Sequence, residues 1–126
     1  MLERCRGREN GCRVKSYSDQ AGHVRNITWQ DITIEDTSQC LSVNANYKPP
    51  PKHPTAFIDV SDLVFRNVQG TRCFKPPEFV CPKEAPCHNI VLDNVVLSGK
   101  EKDFKMTCEY ADGTSSGKIA PKSCLH

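Results

Sequence analysis

Three segments of the chain share one order of polar and apolar positions. They are residues 26–34, 62–70 and 89–97. Each begins with Asn or Asp, alternates apolar and other residues, reaches a second Asp or Asn, and ends in a second short apolar stretch. The equivalent residues Ile27, Leu63 and Ile90 are 36 and 27 residues apart. Repeats of this length are typical of stacked structural units.

The local chemistry of the repeat predicts short β-strands. Apolar residues at every second position, such as Ile27 and Trp29, have the period of a strand with one buried face. The Asp or Asn that follows, Asp31 in the first segment, turns the chain because its short side chain bonds nearby backbone and tolerates left-handed geometry. Strand, polar bend and strand, repeated, predict an all-β parallel β-helix with coils stacked at about 4.8 Å. The alternative is an antiparallel β-sandwich whose strands are similar by chance.

Two stretches interrupt the repeat within what we interpret as one domain, residues 1–126. Residues 48–54 are rich in proline, which lacks the N–H donor that a sheet interior requires. We predict an exposed polyproline II loop there, with a partner-binding segment as the alternative. Residues 72–87 combine prolines with cysteines, and we predict a disulfide loop in which a local cross-link replaces missing core.

Composition excludes several classes of protein. The formal net charge of +2 gives no electrostatic case for nucleic-acid binding. No apolar stretch approaches the 18 or so residues of a membrane-spanning helix, so no membrane partner is predicted. An apolar share of 37% is low for a globular domain but too high for a disordered chain.

The eight cysteines point to disulfides and an oxidising compartment. Zinc knuckles need close Cys pairs, and the closest spacing here is Cys81 to Cys87, so neither a metal site nor a cofactor is predicted. Buried free thiols are the remaining alternative. Residues 1–9 are charged and lack the apolar core of a secretion signal. We therefore expect a chain whose true start lies upstream.

Residues 10–17 resemble the Gly-x-Arg-Ile-Lys segment of the polygalacturonases, the family 28 glycoside hydrolases. Further motifs of that family follow in its order, over residues 22–32, 43–47, 60–71, 81–92 and 108–124. The resemblance implies a secreted, right-handed parallel β-helix that hydrolyses the α-1,4 bonds of pectin's galacturonan. Galacturonan is then the partner, and we expect a monomer in the full-length form.

The catalytic motifs of that family are not in this sequence. Its inverting mechanism uses two acidic groups held roughly 6.5–9.5 Å apart, in Asn-Thr-Asp and Asp-Asp motifs, and a Gly-His-Gly motif. All three lie before the Arg-Ile-Lys segment, whereas His23 lies after Arg13 and is interpreted as a solvated loop histidine. We expect about four C-terminal coils of a longer β-helix, with no catalytic residue of their own and no activity alone.

Substrate-binding residues remain. Arg13 and Lys15 are separated by one residue, so in a strand both point to one face, where two cations suit a galacturonate carboxylate. A solvated basic face is the alternative. By resemblance, Tyr47 corresponds to the active-site tyrosine of the family, although Asn44 and Ala45 replace the usual Asp and Gln.

The resemblance also implies two disulfides, Cys81–Cys87 and Cys108–Cys124. It leaves Cys5, Cys12, Cys40 and Cys73 unassigned, and four cysteines allow three connectivities. Cys12 can instead be a buried thiol.

Asn26 begins an Asn-Ile-Thr glycosylation sequon. In a β-helix the same side chain can instead stack in a ladder of asparagines at a turn. The sequence leaves both interpretations open.

We therefore expect a secreted or cell-wall protein of the polygalacturonase type. The alternative is a non-catalytic module that binds acidic polysaccharide through Arg13 and Lys15. A small disulfide-rich structural or inhibitor protein comes third, and calcium-dependent pectate lyases rank lower because their acidic clusters and motif order differ. Endo or exo attack and methylation preference stay open.

Overall fold

The structure, a computed structural model, describes residues 10–15, 22–45, 58–100 and 103–126. The strands in these residues are β1 (Asn10–Lys15), β2 (Gly22–Glu35), β3 (Gln39–Asn44), β4 (Ile58–Cys73), β5 (Glu78–Val80), β6 (Cys87–Gly99), β7 (Thr107–Glu109) and β8 (Ala111–Ala120). Sheet I has the order β1-β3-β5-β7, and sheet II has the order β2-β4-β6-β8. Every pairing within the two sheets is parallel. Each coil gives one strand to each sheet, so the fold is the predicted parallel β-helix.

The repeated segments lie in the long strands of sheet II. Ile27 pairs with Leu63 and Leu63 with Ile90, and Trp29 pairs with Phe65 in the same way. The separations of 36 and 27 residues seen in the sequence are therefore the lengths of two coils. No helix among the described residues is long and apolar enough to cross a membrane.

Aromatic side chains fill the middle of the core. The Trp29 ring stacks on Phe65 with centroids 4.5 Å apart and an interplanar angle of 3°. Phe65 also meets Phe79 of sheet I edge-on, with centroids 6.3 Å apart. Both phenylalanines are fully buried. These contacts connect neighbouring coils and join the two sheets across a thin interior.

Two columns of polar residues bend the long strands of sheet II. Asn26, Asp62 and Asn89 form the first column, and Asp31, Asn67 and Asn94 form the second; all six have positive φ between 53° and 58°. The amide of Asn67 donates to Asp31 Oδ1 at 2.6 Å, and that of Asn89 donates to Asp62 Oδ1 at 2.8 Å. Asn and Asp suit these positions because they tolerate left-handed geometry and bond locally.

We expect Asn67→Ala to lower the free energy of unfolding by about 2 kcal/mol, since alanine disfavours left-handed geometry by roughly 1–2 kcal/mol and the bond to Asp31 is lost. Asn67→Gly keeps the backbone freedom and loses only the bond, so it should cost about 1 kcal/mol. Urea unfolding followed by circular dichroism measures both. Equal losses for the two variants would contradict the backbone part of this explanation.

Within the described residues, disulfides join Cys40–Cys73, Cys81–Cys87 and Cys108–Cys124. The last two are the pairs that the resemblance implies. The first, Cys40–Cys73, joins two of the four cysteines whose pairing the sequence left open. Cys12 is fully buried in the core, whereas Cys5 lies outside the described residues.

Candidate functional site

The outer face of sheet I carries the candidate site, and β1 sets its first position. Cys12 and Val14 are 0% and 6% exposed, so they point into the core, while Arg13 between them is half-buried. Side chains alternate along a strand, and Arg13 therefore projects from the outer face. Arg13 and Val14 thus point to opposite faces, as the sequence predicts, whereas the direction of the Lys15 side chain stays a prediction.

Parallel register aligns the residues of sheet I in rows across its strands. One row is Arg13, Ser42, Glu78 and Thr107, and the next is Lys15, Asn44, Val80 and Glu109. Neighbours in a row lie on adjacent strands, about 4.8 Å apart. A polymer lying along the stack of coils would pass over β1, β3, β5 and β7 in that order.

Glu78 is the acidic residue of the first row. Phe79 beside it is fully buried, so Glu78 projects from the same face as Arg13. The Ser42 hydroxyl donates to Glu78 Oε1 at 3.0 Å. The short Ser42 side chain lies between Arg13 and Glu78 in the row and is only 2% exposed. The bond from its hydroxyl holds the Glu78 carboxylate in place. Sequence reasoning missed Glu78, although Ser42 and Glu78 are 36 residues apart, the length of the first repeat.

The other predicted binding residues are described less fully. Lys15 is the last residue of β1, two positions after Arg13 and in register with Asn44. Tyr47 lies outside the described residues, as do residues 48–54 of the predicted proline-rich loop. The structure thus places Arg13 and Lys15 on one strand and leaves the role of Tyr47 a prediction.

Chemically, this face suits an anion at its β1 end. The half-buried Arg13 guanidinium can bind a carboxylate through two parallel N–H donors, and partial exclusion of water strengthens such a pair. A metal role for most of the cysteines is excluded, since Cys40, Cys73 and the four C-terminal cysteines are bonded in disulfides.

A second polar cluster lies on sheet II. Asp112 accepts the Asn89 backbone N–H at 3.0 Å and lies 2.7 Å from His88 Nδ1. Both hydrogen bonds lower the pKa of Asp112 below its ordinary value of 3.8, and the bond from the Asn89 backbone has the larger effect. Both side chains of the pair are more than half exposed. The pair therefore links β6 to β8 at the surface and stands apart from the sheet that carries Arg13.

Asn26 stands at the first position of its column of bends. It has a φ of 58° and is exposed, and Thr28, the third residue of the sequon, is exposed as well. Its backbone position matches the ladder interpretation, while glycosylation of Asn26 remains a prediction.

The comparisons with known proteins agree with this architecture. The model of glycosyl hydrolases family 28 matches residues 3–123. A polygalacturonase of Prunus persica is 31% identical over 124 residues, which are 94% of this chain and 32% of that protein. An exopolygalacturonase of Oenothera organensis is 29% identical over 126 residues, 94% of this chain and 34% of its own. A probable endopolygalacturonase D of Aspergillus oryzae is 30% identical over 105 residues, 81% of this chain and 21% of its own.

The chain thus spans about a third of the length of the plant relatives and less of the fungal one. The names of these relatives include both endo- and exo-acting enzymes. The family model covers nearly the whole chain, and the parallel β-helix and the order of motifs agree with it. The chain belongs to glycosyl hydrolases family 28.

Proposed function

We propose that the chain is the C-terminal portion of a polygalacturonase that hydrolyses the α-1,4-galacturonosyl bonds of pectin with inversion. Its own contribution is substrate binding, through Arg13 and Lys15 on sheet I. The observation that carries the proposal is the outward, half-buried position of Arg13 between two core residues. Membership of the family and the names of the relatives support the choice of substrate.

In this proposal Arg13 anchors one galacturonate unit. Its guanidinium binds the carboxylate through two hydrogen bonds, and the rigid strand beneath it fixes where the neighbouring glycosidic bond lies. The acid that protonates the leaving oxygen and the base that activates water belong to motifs outside these 126 residues. The isolated chain therefore binds galacturonan without cleaving it.

The proposal includes a monomeric full-length protein in the cell wall or outside the cell. The disulfides within the described residues support an oxidising compartment. In this proposal the positive side chains of Arg13 and Lys15 bind galacturonan, and neither a metal nor a cofactor is part of it.

We expect Arg13→Gln to weaken the binding of a galacturonate oligomer about 10-fold at low salt, since one charged, bidentate pair contributes about 1.5–3 kcal/mol before screening. Isothermal titration of the folded chain with hexagalacturonate measures it. Arg25→Gln is the matched control, because Arg25 is an exposed arginine on β2 of sheet II. Equal loss in both variants, or no binding by the unchanged chain, would contradict the proposed site.

The alternative is a non-catalytic module that binds acidic polysaccharide through Arg13 and Lys15. The sequence of the transcript upstream of Met1 distinguishes between the two proposed functions. In-frame Asn-Thr-Asp, Asp-Asp and Gly-His-Gly motifs would support the hydrolase, whereas a stop codon there would support the module. Reducing-sugar release by the isolated chain, above that of Arg13→Gln, would contradict both.

A further inference from the structure

The outer face of sheet I changes its charge along the stack of coils. Its outward residues are Arg13 on β1, Ser42 and Asn44 on β3, Glu78 and Val80 on β5, and Thr107 and Glu109 on β7. The first strand is therefore cationic, the second neutral, and the last two acidic. We call Glu78, Val80 and Glu109 the acidic end.

The carboxylates of the acidic end are not neutralised within the described part of the chain. The ion pairs found there join Arg66 to Asp93, Arg72 to Asp36 and His88 to Asp112, and none involves Glu78 or Glu109. Glu78 is held by the Ser42 hydroxyl, which is a neutral donor. Glu109 is exposed on the last strand of the sheet. Both charges therefore act on whatever lies over β5 and β7.

A galacturonan chain along this face would meet positive charge over β1 and negative charge over β5 and β7. Its carboxylate is attracted over β1, whereas over β5, two strand spacings or about 10 Å away, a free carboxylate faces Glu78. A galacturonate carboxylate directly over β5 lies closer to Glu78 than the Debye length, which is about 10 Å at 0.1 M salt, so salt screens their repulsion only in part. Val80, half-buried between Asn44 and Glu109 in its row, offers an apolar contact at the same place.

We propose that the acidic end receives galacturonosyl units whose carboxyl groups are methyl-esterified, while Arg13 receives a free carboxylate. Esterification removes the charge that Glu78 and Glu109 repel and supplies a methyl group for Val80. The inference rests on the proposed function, since it needs galacturonan to lie along sheet I. It assigns Glu78 and Glu109 as specificity-determining residues that select the esterification pattern of the polymer.

The test compares two hexamers, fully de-esterified and half methyl-esterified, by isothermal titration at low salt. We expect the unchanged chain to bind the esterified hexamer about 5-fold more tightly, because esterification removes two weak repulsions that act in a largely aqueous medium. Glu78→Gln/Glu109→Gln should abolish this preference by tightening binding of the de-esterified hexamer, with less than about a 2-fold change for the esterified one.

The control variant is Glu35→Gln/Asp59→Asn, which removes two exposed charges from β2 and β4 of sheet II. It should retain the preference, because those carboxylates lie on the other sheet. A preference for the de-esterified hexamer, or one that survives Glu78→Gln/Glu109→Gln, would overturn the inference alone. If neither hexamer binds, or if Arg13→Gln changes binding of neither, the proposed function itself fails. Circular dichroism of each variant excludes unfolding as the cause.

Discussion

Replacement of Cys40 and Cys73 by alanine is expected to lower the free energy of unfolding by about 4 kcal/mol. The two cysteines are 33 residues apart, so their cross-link closes the longest loop among the described disulfides and removes the most entropy from the unfolded chain. Both are 1% exposed or less, which adds the loss of packed sulfur contacts in the core. Guanidinium unfolding under non-reducing conditions measures the change.

The matched control is Cys81→Ala/Cys87→Ala. That pair is also buried but spans only 6 residues, so the same relation gives about 2 kcal/mol. The comparison keeps burial constant and changes the loop length. A loss in the Cys40/Cys73 variant no larger than in the control would show that strain or residual structure, and not loop entropy, sets the contribution of these disulfides.

Hydrophobic patterning predicted sheet II because that sheet is built from long strands. Ile27, Leu63 and Ile90 form one column of the register, in which Leu63 and Ile90 are fully buried and Ile27, on the first long strand, is 37% exposed. A period of two is visible whenever a strand is long enough to repeat it. The polar bends were visible for the same reason, since Asp31 and Asn67 recur at fixed offsets from those apolar residues.

The fourth long strand was not predictable in this way. β8 pairs with β6, yet its sequence is ADGTSSGKIA, and Gly113 stands opposite Ile90 where the repeat would have an aliphatic residue. Backbone rather than a side chain covers the core at this position. An apolar pattern reports side-chain burial, so it does not detect a strand that packs through its main chain.

Sheet I shows why the candidate site was only half predictable. β5 and β7 have three residues each, too few for any periodicity to appear in the sequence. Arg13 was found through its resemblance to a family segment. Glu78 and Glu109 became members of the same face only when the register was known. Charge order along a stack of coils is a property of the register, and no single segment of the sequence contains it.

Gly113→Ala is expected to cost about 3 kcal/mol in the free energy of unfolding, as overpacking against rigid neighbours does. A methyl group on Gly113 would overlap the carbonyl group of Ile90, which belongs to the backbone of β6 and cannot move away as a side chain can. The register of the β6–β8 pair also shifts next to this contact, between Cys87 and Ile90. Urea unfolding measures the cost, and Thr114→Ala, at the exposed neighbouring position, is the control, expected within about 0.5 kcal/mol. If both variants unfold at the same urea concentration, β8 is not packed on β6 through its main chain, and the fourth coil would need another explanation.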